Sequence, residues 1–114
     1  MEQTEIRTRL IKYLLEERNE TTSIPSDEGS QKRLLRALLN VRPPMPVSAE
    51  FLSLQDEYLT ERKNKRGIIN VNDFVYTGGV ALFKGDITTL NADAIVNAAN
   101  SAMLGCFHPL HNCI

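Results

Sequence analysis

From Thr4 to Arg18 the apolar positions recur at helical spacing. Ile6, Leu10, Tyr13 and Leu14 form a stripe that Ile11 and Leu15 widen, and charged residues fill the opposite face. This pattern predicts an amphipathic helix that covers a core or meets a partner. Asn19 to Gly29 is polar, is broken by Ile24-Pro25 and Glu28-Gly29, and reads as a loop. A second helix is predicted over Gln31 to Asn40, where Leu34, Leu35, Leu38 and Leu39 fall on one side. Val41-Arg-Pro-Pro-Met-Pro46 ends it, because proline lacks the amide donor and clashes with the preceding turn; this is the strongest linker signal. Ser48 is placed to cap a third helix, with Glu50 in its first turn and Phe51, Leu52, Leu54, Tyr58 and Leu59 as its apolar face. The cations of Arg62-Lys-Asn-Lys-Arg66 favour a helix C-terminus and Gly67 suits the residue after it.

Beyond Gly67 the period changes. Ile68 to Tyr76 is ambiguous and reads as a strand entering a loop through Thr77-Gly78-Gly79. Val80, Leu82 and the Lys84-Gly85-Asp86 step predict a strand that empties into a turn. Ala94-Ile95-Val96-Asn97 predicts a short strand buried on both faces. The fold expectation is therefore α/β: a helical region over residues 1–66, then the first strands of a second domain over residues 67–114.

Lysine and arginine number 13 against 14 aspartate and glutamate, so the net charge of −1 gives no bulk attraction to nucleic acid. The basic cluster at 62–66 is short and has no interleaved aromatics, which favours a solvated helix end over an RNA contact. No apolar run approaches the ~20 residues of a membrane helix, and the acidic Met-Glu-Gln-Thr-Glu start carries no secretory pattern. A cytoplasmic location without a membrane partner is expected. In that compartment Cys106 and Cys113 are expected as metal ligands or thiols, not as a disulfide.

The chemistry concentrates after Lys84. Asp86 at a strand end can point a carboxylate into the crevice where α/β folds bind ligands, or it can make an Asx-turn that stabilises the bend. Asn97-Ala-Ala-Asn100-Ser101 combines small side chains, which let a ligand approach the backbone, with two amides. Cys106-x4-His111-x-Cys113 offers two thiolates and an imidazole, good zinc ligands at about 2.0–2.3 Å. Pro109 disfavours helix through this run, and one intervening residue lets His111 and Cys113 face a common point. Three protein ligands would leave a fourth position open, as in catalytic zinc sites. Two thiols and two surface histidines remain the alternative.

Gly85-Asp86-Ile87-Thr88, Asp93-Ala-Ile-Val-Asn-Ala-Ala-Asn-Ser101 and Leu104-Gly105-Cys106-Phe107 with Pro109, His111, Cys113 and Ile114 together resemble the macrodomain family, in particular its zinc-dependent branch. The resemblance implies a three-layer α/β/α domain, of which these residues would be the beginning, with the chain ending before it is half complete and itself expected to be an inactive or incomplete fragment. It implies an ADP-ribose site. Asp86 and the Ile87 backbone would meet adenine, Asn100 the distal ribose, and Gly105 one wall, while Asn97 would tie the loop. It also implies a Zn2+ held by Cys106, His111 and Cys113, with His108 a variable position, and Asn100 and the three ligands as the catalytic group. The implied activity is removal of ADP-ribose from modified protein side chains. A non-catalytic ADP-ribose reader and a zinc-stapled interaction domain are the other readings. Implied partners are ADP-ribose or ADP-ribosylated protein, a sirtuin-like ADP-ribosyltransferase and a lipoyl carrier protein.

Overall fold

The computed structural model describes residues 1–111, and they divide into two compact units. One comprises residues 1–58 together with the segment from Asn97 onward, and the other comprises Leu59–Val96.

Helices α1 (Gln3–Glu17), α2 (Glu28–Val41) and α3 (Ala49–Arg66) lie where the apolar periods predict them. Their apolar faces make the core: Ile6, Leu10, Ile11, Leu14 and Leu15 of α1, Leu35 and Leu38 of α2, and Phe51 and Tyr58 of α3 are all buried. Each such side chain taken out of water contributes about 1.5–3 kcal/mol, which is what holds short helices together. Tyr13 leans on Phe51 with ring centroids 4.7 Å apart. Ser48 caps α3 as its position predicts, its Oγ accepting from Phe51 N at 3.1 Å.

α2 begins earlier than its leucine pattern indicates. Asp27 is the N-cap and accepts from Ser30 N at 2.8 Å. Glu28 and Gly29, expected to break the chain, form the first turn, where amides need no helical partner and glycine costs little. The proline segment is folded back by Arg42. Its guanidinium pairs twice with Glu17, at 2.8 and 3.1 Å, and donates to the carbonyls of Met45 and Pro46, giving a proline-rich turn the partners it cannot supply itself.

In the second unit β1 (Ile69–Asn70) pairs in parallel with β2 (Leu90–Asn91), Ile69 opposite Leu90 and Asn70 opposite Asn91. The two strands predicted at 80–84 and 94–97 do not form. Val80 makes only a bridge to Thr77 across Gly78-Gly79, whose φ values of 59° and 80° suit a tight hairpin turn. Leu82 is 97% exposed, and Val96 is fully exposed. An apolar run becomes a buried strand only when neighbouring strands satisfy its backbone, and among the described residues none lies beside these. The architecture is mixed helical with a small parallel sheet, compatible with α/β. No helix of the described residues is long and apolar enough to cross a membrane.

Candidate functional site

Gly85-Asp86-Ile87-Thr88 lies in the second unit and opens a 3₁₀ turn over Ile87–Thr89. Asp86 caps that turn. Its Oδ1 accepts from the Thr88 hydroxyl at 2.7 Å and from Thr88 N at 2.9 Å. Its Oδ2 faces Arg66 Nη1 at 3.5 Å, and the same nitrogen donates to Thr88 Oγ1 at 3.1 Å. The Thr88 hydroxyl bond, then the Thr88 amide, then the charge of Arg66 hold the Asp86 carboxyl below its ordinary pKa. Asp86 is thus both exposed and committed to the bend on one oxygen. A Cβ on Gly85 would come within 2.7 Å of the Phe83 ring, which stacks on Phe74 with centroids 5.4 Å apart. A side chain at position 85 would require that ring to move.

The other flagged residues lie in the helical unit. Asn97 O accepts from Ala99 N at 2.9 Å, tightening the entry to the loop. Asn100 works as a clamp: Nδ2 donates to Leu104 O at 2.7 Å and Oδ1 accepts from Leu104 N at 3.3 Å. Both residues thus tie the loop, Asn97 through its main-chain carbonyl and Asn100 through its side chain. Within the clamped loop Met103 and beyond it Phe107 adopt φ of 55° and 58°, a left-handed region that bulky side chains avoid unless the surroundings enforce it.

Gly105 and Cys106 line an open cleft of about 380 Å³. Its other walls include Leu39 and Asn40 at the end of α2, Pro43 and Pro44, and Phe51 at the start of α3. Cys106 and His111 are both exposed, and the ring of His111 lies edge-on to His108 at 6.4 Å. Cys113 lies outside the described residues. Among the described residues no three His, Cys, Asp or Glu side chains converge on one point. The donor chemistry of the set fits zinc, since thiolate sulfur and imidazole nitrogen are its preferred ligands.

Periodicity and spacing gave no warning of two contributors. Arg66 appeared as part of a solvated helix end, and α2 as a packing helix alone. The first was legible only as a cation near a carboxylate in the folded chain, and the second required the loop to return against the helix.

With this geometry in view, the class of related proteins can be given: the chain is similar over most or all of its length to proteins named protein-ADP-ribose hydrolase. The relative from Treponema medium is 50% identical over an alignment of 121 positions that takes in all of this chain and 46% of that protein. The relative from Staphylococcus aureus strain COL is 44% identical over 98 positions, covering 84% of this chain and 36% of that protein. A protein of Fusarium oxysporum f. sp. cubense named probable bifunctional ADP-ribose hydrolase/ADP-ribosyltransferase is 40% identical over 101 positions, 77% of this chain and 17% of that protein. The chain thus spans less than half the length of the curated relatives it matches. No protein-family model matches it.

Proposed function

We propose that this chain belongs to a macrodomain-type protein-ADP-ribose hydrolase of the zinc-dependent branch, and that it carries residues for adenine in one unit and residues for the metal in the other. The single observation that supports this most is the 50% identity, across the entire chain, to a protein of that name. Asp86 uses Oδ1 for its own turn, and Oδ2, which also faces Arg66 Nη1 at 3.5 Å, would be the acceptor for an exocyclic adenine amine, with the Ile87 main chain beside it. Asn100 holds the loop that would border the distal ribose, and Gly105 keeps one wall low.

Cys106, His111 and Cys113 would hold the zinc ion. Bound there, the ion would supply Lewis acidity and a fixed position for the distal ribose, while two thiolates temper its effect on a bound water. The reaction is hydrolysis of the bond from the ribose anomeric carbon to a protein side chain, in which oxocarbenium character develops at the sugar. Electron-rich groups near that carbon favour it, and the Asn97–Ser101 loop, lined with small residues, admits the sugar close to the backbone. The substrate is an ADP-ribosylated protein, and a sirtuin-like ADP-ribosyltransferase and a lipoyl carrier protein are the partners this reading entails.

The test is incubation of the chain, extended to the length of the Treponema medium relative, with a mono-ADP-ribosylated protein, with free ADP-ribose measured by mass spectrometry. The Treponema medium relative serves as the reference. Release is expected, with a loss beyond about a hundredfold in Cys113→Ala, because even partners outside a ligand shell are worth 10–100-fold. Binding of ADP-ribose without release would make the chain a reader instead. Absence of both binding and release would overturn the proposal.

A further inference from the structure

Arg36 and Asn40 stand one turn apart on α2, on one face of the helix. Both reach across to the loop that carries His111. Asn40 Nδ2 donates to Pro109 O at 2.9 Å and to His111 O at 3.1 Å, and Arg36 Nη2 donates to Leu110 O at 3.0 Å. Three successive main-chain carbonyls are therefore held by two side chains from an element some seventy residues earlier, |i−j| being 69, 71 and 74.

The consequence is geometric. Carbonyls held on both sides of the His111 Cα restrict rotation of the peptide planes that meet there, and with them the direction in which the His111 Cα–Cβ bond leaves the chain. One amide nitrogen spanning the carbonyls of residues 109 and 111 uses both of its hydrogens and sets the distance between them. Pro109 adds a fixed φ at the start of the same step. His111 N also donates to His108 O at 3.3 Å, closing the turn from inside. At its other end the loop is fixed by Asn100, and between the two attachments lies Phe107 with its left-handed φ. A loop in so unfavourable a backbone state needs restraint from both sides.

We propose that Arg36 and Asn40 are positioning residues for His111, so that α2 sets the aim of the imidazole before any ion arrives. The inference rests on the reading of His111 as a ligand. Functional side chains must be held to within about 0.5 Å by supporting groups, and loops do this poorly without such support.

Arg36→Ala and Asn40→Ala substitute a strong helix former at surface or half-buried positions of α2, so the helical core stays folded. Two measurements on the whole chain decide the matter. Amide hydrogen exchange without metal should quicken about tenfold or more at His111, whose N–H is bonded to His108 O inside the turn, in Asn40→Ala, with α1 and α2 amides unchanged. Titration with Co2+, followed by the thiolate-to-metal absorption band, should show affinity about 10–100-fold weaker in each variant. Arg36→Lys should restore part of it. Unchanged exchange overturns the positioning role whether or not metal binds. Quicker exchange with unchanged cobalt affinity overturns it as well, since the restraint then does not act on the ligand. A parent chain that takes up no cobalt overturns instead the reading of His111 as a ligand.

Discussion

Asp86 illustrates how one carboxylate serves two tasks. Thr88 gives Oδ1 two donors, and Arg66 is bonded to the Thr88 hydroxyl while facing Oδ2, so the side chain is locked in one rotamer at the protein surface. Asp27 is held similarly by the main-chain and side-chain groups of Ser30, and its pKa is also lowered. The sign follows from these depressed values. Both groups contribute stability in full above the unfolded carboxyl pKa of about 3.9, and the contribution is lost as pH falls through the lower folded values. The melting temperature should therefore decline as pH is taken below about 4, and Thr88→Val should raise the Asp86 pKa in a 13C carboxyl titration. A Thr88→Val chain whose Asp86 titrates unchanged would contradict the bonding described.

Among the elements, the α1–α2 pair carries a feature that the leucine pattern hides. Arg7 sits within the apolar stripe of α1 and is 1% exposed. Its Nε and Nη2 both donate to Gln31 Oε1, at 2.9 and 2.8 Å, and Gln31 Nε2 in turn reaches Pro25 O at 2.7 Å. Glu28 stands 3.8 Å from Nη1, on the solvent side. A guanidinium at such depth depends on that amide, because removing the acceptor leaves a buried charge short of partners. Gln31→Ala should cost about 2–3 kcal/mol in a denaturant melt, more than an exposed glutamine would. Loss of under half a kcal/mol would show that water replaces the amide without penalty. Sequence periodicity located all three helices, since each has enough turns for a 3.6-residue repeat to be counted. It gave an ambiguous strand reading over 68–76, where β1 forms, and did not place β2: two residues per strand carry no period, and their pairing joins positions 69 and 90.

At the scale of the whole molecule, every fully buried apolar residue among the described ones belongs to the helical unit. The Leu59–Val96 unit instead leaves Val75, Val80, Leu82 and Ile95 largely in water. Exposed apolar side chains and a two-residue sheet with open edges favour association. The 114-residue chain should bind a hydrophobic dye and show concentration-dependent self-association by light scattering, reduced by Leu82→Glu. A monomeric chain that leaves the dye dark at every concentration would count against this.

The sequence by itself determined the helices, their core faces, the Ser48 cap, the Gly67 end and the glycine turn at 78–79, because each depends on residues within a turn or two. It also carried, in residues 85–114, the motifs that connect this chain to ADP-ribose hydrolases. Only the tertiary structure decided that Arg66 faces Asp86, that Arg7 is paired inside the core, and that Arg36 and Asn40 hold the carbonyls before and at His111. Those contacts join residues far apart along the chain, and no local period or spacing encodes which distant carbonyl a side chain will meet.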